Sequence, residues 1–220
     1  DEVRSGLAAR CRDLAADGVV PGGAGNVSVR IDDDRVLITR RGLRFARAGE
    51  DDLTVVSLDG ATLQGPAPSS EIGLHLGIHR HRPPGHRASG HRAPCAVVHT
   101  HGRAAVAVGL VLDELPAVHY SIGRLGRRVP TVPYHVFGSA ELADAVGTAV
   151  ADGAGSVLLR NHGSVSCGDD LDQAVEHAGL VEWLCEVYLD ARALGEPALL
   201  SRQDLDASRE QAGRLSYGRP

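Results

Sequence analysis

Residues 95–102 read CAVVHTHG, and residues 160–163 read RNHG. The apolar run 95–98 is short and reads as a buried strand that ends in His99-Thr100-His101. Side chains alternate across a strand, so His99 and His101 project from the same face. Two imidazoles side by side at a strand end suit a tetrahedral or octahedral metal ion, with Zn–N bonds of roughly 2.0–2.1 Å. Taken alone, the pattern also fits two polar residues on a solvated face. His162 sits at a second strand-to-loop corner, where Gly163 would let the backbone turn sharply and present the ring. Three histidines plus one further ligand would make a catalytic zinc site with an exchangeable position.

Outward from these corners, hydrophobic periodicity predicts an alternation of helices and strands. Val3, Leu7, Cys11 and Leu14 lie at helical spacing within residues 2–16. Residues 18–25 are glycine-rich. Residues 26–31 alternate as a strand, Asp32 to Asp34 form a turn, and residues 35–39 give a second strand. Residues 53–58 and the segment after Asp59-Gly60 read as another hairpin. Ser69-Ser70-Glu71 opens a helix carrying Leu74, Leu76 and Ile78. Residues 81–94 repeat Gly-His-Arg-Ala and read as an irregular, exposed loop. A short helix is expected over 102–110, strands with turns over 115–135, and a helix capped by Ser139 over 139–150. A strand over 156–159 precedes two final helices, 170–194 and 201–215. The predicted class is a layered α/β sandwich with a mixed sheet.

Composition bounds the chemistry. The 220 residues contain no lysine and no methionine, and the 23 basic side chains are all arginine. A Schiff base with a carbonyl substrate is therefore excluded. Pyridoxal chemistry and a P-loop fall with it. Aromatic residues supply only 3%, so the core must consist mainly of Ala, Val and Leu. A net charge of −5 gives no general basic surface for nucleic acid. No apolar run is long enough to span a membrane, and no signal peptide is visible. Cys11, Cys95, Cys167 and Cys185 are scattered and read as buried thiols in a reducing, cytoplasmic compartment.

Glu71 is the candidate fourth ligand or acid/base; the alternative is a simple helix cap. Ser69, Ser70 and the free N–H groups of a helix start suit an anion such as phosphate. Gly25-Asn26, where the glycine loop enters a strand, is either an ordinary turn or a second place to meet a substrate oxygen.

The ordered segments 22–30 (GGAGNVSVR), 68–76 (PSSEIGLHL), 97–102 (VVHTHG), 118–120 (VHY) and 160–163 (RNHG) together resemble the class II aldolase/adducin family. Pro133-Tyr134 and Phe137-Gly138 add to the likeness, which runs to about residue 195. It implies one class II aldolase-like domain over residues 1–220, a three-layer α/β/α sandwich around a mixed, largely antiparallel sheet. It implies zinc, or another divalent metal such as Mn²⁺, Co²⁺ or Fe²⁺, on His99, His101, His162 and Glu71, with Glu71 also the acid/base. Gly25, Asn26, Gly42, Ser69 and Ser70 would hold a substrate phosphate. Tyr120 would reach a neighbouring subunit's site in a homotetramer and handle a proton on the aldehyde oxygen. The implied reaction makes or breaks a ketose 1-phosphate from dihydroxyacetone phosphate and a short aldehyde. A sugar-phosphate epimerase, dehydratase or decarboxylase, an iron oxygenase and a non-catalytic assembly module are the alternatives on this scaffold. Two departures stand out. Arg41 occupies a position where the family usually has threonine or serine, and a guanidinium there either grips phosphate or selects another anion. Loop 81–94 is longer than usual. His75, His79, His119, His135 and His177 are expected to be surface or supporting groups and not ligands.

Overall fold

The computed structural model describes residues 2–20, 25–81, 96–126 and 128–215. Its centre is one eight-stranded sheet: β1 (Gly25–Arg30), β2 (Arg35–Thr39), β3 (Leu53–Ser57), β4 (Thr62–Gln64), β5 (Ala96–Thr100), β6 (Thr131–Val132), β7 (Ser156–Leu159) and β8 (Gly163–Gly168). The strand order is β4-β3-β2-β1-β5-β8-β7-β6. Every pairing is antiparallel except β6 with β7. Six helices cover it: α1 (Glu2–Ala16), α2 (Ile72–His81), α3 (Arg103–Val111), α4 (Ala140–Ala151), α5 (Leu171–Leu194) and α6 (Arg202–Arg214).

Alternation along each strand sends side chains into two separate cores. On one face Val27, Val29, Leu37, Ala96 and Val98 pack under α1 and the start of α5, with Leu7, Cys11 and Leu14 from α1. That core continues through Leu158 to α3 and the rest of α5. On the other face Val97, Val157, Leu159 and Val165 meet Leu74 and Ile78 of α2 and Leu142, Val146 and Val150 of α4. The expected α/β/α sandwich and Ala/Val/Leu core are therefore observed. No described helix is long and apolar enough to cross a membrane.

Two segments differ from the periodicity reading. Strand β8 was not expected, because GSVSCG carries a single β-branched apolar residue; it is nevertheless fully buried as the partner of β5 and β7. Among the described residues of 115–135, the regular elements are a 3₁₀ turn, Tyr120–Leu125, and the two-residue strand β6; most of the rest is irregular. The prolines and glycines there break the ladder instead of punctuating it. Cys11, Cys167 and Cys185 are buried free thiols. Cys95 and nearly all of the 81–94 loop lie outside the described residues.

Candidate active site

The site forms where three polypeptide corners meet at one end of the sheet. β5 delivers His99 from its α2-side face and His101 just beyond its end. The β7–β8 turn delivers His162, and the residue before α2 is Glu71. One ligand atom from each of these four lies within 4.8 Å of the others. His99 Nε2 is 2.9 Å from His101 Nε2 and 3.2 Å from Glu71 Oε2. Glu71 Oε1 is 3.1 Å from His162 Nε2. The three imidazole centroids are 4.7, 4.8 and 5.0 Å apart.

These separations test the fit to a metal ion. Ligand atoms on a zinc tetrahedron lie about 3.3 Å apart, given Zn–N bonds of roughly 2.0–2.1 Å. His99 Nδ1 is 2.9 Å from the Ser164 carbonyl, which can only accept, so Nδ1 carries the proton and Nε2 presents its lone pair to the cluster. Glu71 Oε1 is buried and receives no hydrogen bond of proper geometry, although His162 Nε2 is close. A converging set of lone pairs with one bare carboxylate oxygen suits a divalent cation. Burial, aided by the neighbouring His99 and His162 rings, pushes the His101 ring down to about 4, so it stays neutral near pH 7. Burial would raise the Glu71 carboxyl, but the facing His162 and His99 rings and the Asn26 amide outweigh it and hold Glu71 well below the usual carboxylate range.

Local backbone explains the His162 corner. The left-handed residue is Asn161, at φ 59°, and not Gly163 as the sequence suggested. Asparagine tolerates that conformation. Gly163 is required for a different reason: a Cβ there would sit 2.1 Å from the Thr100 carbonyl oxygen and 3.1 Å from the His101 ring. Arg160 anchors the same turn, with Nη2 2.6 Å from Asp113 Oδ1. On the other side of His101, the buried Glu182 carboxylate from α5 accepts the Ala104 and Ala105 amides at 2.7 and 3.0 Å. It fixes the start of α3 immediately after His101-Gly102. No local signal in the sequence marks Glu182, because the contact spans 77 residues or more.

Glu71 precedes the helix; Ser69 Oγ accepts the Glu71 amide at 3.2 Å. Gly25, Asn26, Arg41, Gly42, Ser69, Ser70 and Glu71 line one cleft of about 310 Å³. Gly42 turns there at φ 68°, a conformation that favours glycine. Arg44, which no motif in the sequence marks, lines the same cleft. Arg40 is tied to Asp52 at 2.6 Å, whereas Arg41 and Arg44 make no ion pair among the described residues. A second cleft, of about 390 Å³, opens on Glu71, His101 and His162 and is lined by Tyr134 and Phe137. Tyr120 lines neither cleft. It is exposed, with its ring 4.3 Å from His119, which in turn meets Trp183 edge-on at 5.1 Å.

None of the five supporting histidines joins the cluster. His75, His79 and His177 are buried, against the surface alternative, while His119 and His135 are half-buried.

The Class II Aldolase and Adducin N-terminal domain family matches residues 5–189. The chain belongs to this family. It is 31% identical over 205 residues to a 5-deoxy-D-ribulose 1-phosphate aldolase of Bacillus thuringiensis serovar kurstaki, covering 92% of each protein. It is 32% identical over 197 residues to the L-fuculose phosphate aldolase of Escherichia coli K12, covering 89% of this chain and 86% of that one. A solved L-fuculose 1-phosphate aldolase superposes with a TM-score of 0.85 at 28% identity, covering 97% of each chain. The family resemblance and the α/β/α fold expected from the motifs are both observed.

Proposed function

We propose that the protein is a zinc-dependent aldolase that makes and breaks a ketose 1-phosphate. The products of cleavage are dihydroxyacetone phosphate and a short aldehyde. The observation that carries this reading is the convergence of Glu71 with three imidazoles at the head of a cleft bearing two uncommitted guanidiniums. His99, His101, His162 and Glu71 would hold the metal. A divalent ion bound there would supply Lewis-acid chemistry at the substrate carbonyl, the electrophilic role that a lysine would otherwise fill. Glu71 takes and returns the proton at the reacting carbon. Arg41 and Arg44, the Ser69 and Ser70 hydroxyls, Asn26 and the backbone at Gly25 and Gly42 hold the phosphate. The buried Glu71 carboxylate is itself shielded from bulk water on the α2 side, while the cleft that carries Tyr134 and Phe137 receives the aldehyde.

Tyr120 protonates the aldehyde oxygen from a second copy of the chain. Its exposure and its absence from both clefts of its own chain support this. The working assembly is then a cytoplasmic homotetramer with active sites between subunits, and its substrates are small sugar phosphates.

The deciding experiment is turnover in the synthesis direction. Dihydroxyacetone phosphate is offered with a panel of short aldehydes to protein of measured zinc content. A ketose 1-phosphate product is expected. No adduct with any aldehyde, in protein that holds its metal, removes the proposal. Sedimentation of the same sample reads the assembly, and a monomer with full activity removes the role given to Tyr120.

A further inference from the structure

Behind Glu71, a line of buried polar groups runs between α2 and β1. Asn26 Nδ2 donates to Glu71 Oε2 at 3.0 Å. His75 Nε2 meets Asn26 Oδ1 in a short hydrogen bond. Ser28 Oγ lies 2.8 Å from His75 Nδ1 and 2.9 Å from His79 Nε2. Asn26, Ser28, His75 and His79 are each no more than 4% exposed.

Two commensurate periods make the line possible. Glu71, His75 and His79 are spaced by four along the α2 direction, a rise of about 6 Å per step on a helix. Asn26 and Ser28 are spaced by two on β1, about 6.8 Å on a strand. The helix and strand steps nearly match, so their side chains interleave in the order Glu71, Asn26, His75, Ser28, His79. Arg30 fixes the far end by donating from Nη1 to the His79 carbonyl at 2.9 Å.

Every proton in this line can be assigned from the carboxylate outward. An ionised Glu71 only accepts, so the Asn26 amide turns its NH₂ toward it and its oxygen toward His75. That oxygen only accepts, so His75 carries its proton on Nε2. Nδ1 of the neutral ring is then an acceptor, and the Ser28 hydroxyl must donate to it. The Ser28 oxygen is left to accept from His79 Nε2–H. His79 Nδ1 therefore has no proton, and it is a buried atom without a partner. Burial keeps both rings neutral, pushing His79 down to about 3 and His75 well below its ordinary value. Hydrogen bonds aligned in one direction reinforce one another.

We propose that His75, braced by Ser28 and His79, is a positioning residue that locks the Asn26 amide with its donor edge on Glu71. It thereby holds the carboxylate in the orientation used for the metal and the proton. The inference rests on the reading of Glu71 as ligand and acid/base, and it assigns a task to groups that touch neither metal nor substrate. Without His75 the amide is free to rotate and turn its oxygen on the carboxylate.

The test compares His75→Asn with His75→Gln. Asparagine ends near the position of Nδ1, so it meets Ser28 but does not reach Asn26. Glutamine extends toward Nε2 and can donate to Asn26 Oδ1. Zinc dissociation by chelator competition, kcat, KM and Tm are measured on both. Loss of outer-shell support should weaken zinc binding and lower kcat by about tenfold in His75→Asn, with KM changed less than about twofold. In His75→Gln both should return to within about threefold of the parent protein. Equal losses in the two variants, in step with Tm, would mean that His75 only fills space. Should neither variant fold, Ser28→Ala removes one hydroxyl without adding volume. A weaker loss of zinc affinity in the same direction is expected, and an unchanged affinity overturns the proposal. The zinc measurement needs no substrate. Parent protein that makes no aldol adduct would therefore sink the aldolase reading while leaving the positioning role decided on its own.

Discussion

The two sides of Glu71 are built in opposite ways. On the sheet side His99, Asn26 and His75 are buried, and each polar group there is held by a partner on another element. On the cleft side Arg41 and Arg44 stand exposed on a loop with no ion pair among the described residues. A reacting group must be held to within a fraction of an ångström, which favours rigid elements and satisfied neighbours. A charged recognition group needs to meet an incoming anion, and a prior partner would have to be broken first. Under the proposed function, one side of Glu71 performs chemistry and the other selects substrate.

The sharpest way to break this separation is Glu71→Gln. It keeps the volume and a hydrogen-bonding group but removes the proposed base. Turnover should fall by about 10²–10⁴-fold, while the content of divalent metal by metal analysis changes little. Loss of the metal instead would make Glu71 chiefly a structural ligand, and the chemical side would then begin at the histidines.

The cleft side should respond differently. Arg41→Ala should raise KM for a phosphorylated substrate about tenfold, corresponding to a charged hydrogen bond of about 1.5 kcal/mol, and leave kcat nearly intact. An unphosphorylated analogue should be unaffected by the change. Equal effects on both substrates would assign Arg41 to packing or to a different anion.

The smallest effect is on stability against pH, read by urea unfolding of metal-free protein. The folded protein holds His101 at about 4 and His79 at about 3, below the ordinary histidine value. The unfolded chain binds protons first, so stability is present above about pH 6.5 and declines as pH falls toward 4. Each imidazole contributes a slope of at most about 1.4 kcal/mol per pH unit. Glu71 has a depressed carboxyl, so its contribution is lost only below about pH 4.5. A His79→Leu variant should flatten the decline between pH 6.5 and 4.5. A variant that keeps the full slope would show that the buried line behind Glu71 does not govern it.

The residues differ in how far their tasks were legible. Strands β1, β2, β3 and β5 and helices α1 to α5 announce themselves through period and capping residues, because each has apolar residues to bury, whereas α6 is polar and buries none of its residues. Strand β8 does not, since burial on both faces between two strands accepts Gly, Ser and Cys. His99 and His101 could be paired from their spacing of two. Glu71, His75 and His79 also carried a signal, a spacing of four, but it has meaning only when a strand with period two lies underneath. Glu182 and the close approach of Gly163 to Thr100 carried none.

What the sequence alone determined was the type of chemistry. Without lysine, carbonyl activation needs an electrophile from outside the chain, and histidines at two strand ends provide a place for it. Both asparagines, Asn26 and Asn161, already lay inside the motifs that mattered. What only the tertiary structure decided was the direction of each lone pair and proton. Hydrogen bonding is directional and short-ranged. The edge that Asn26 shows to Glu71 therefore depends on a histidine 49 positions away, whose other ring nitrogen is held by a serine on the strand beneath it.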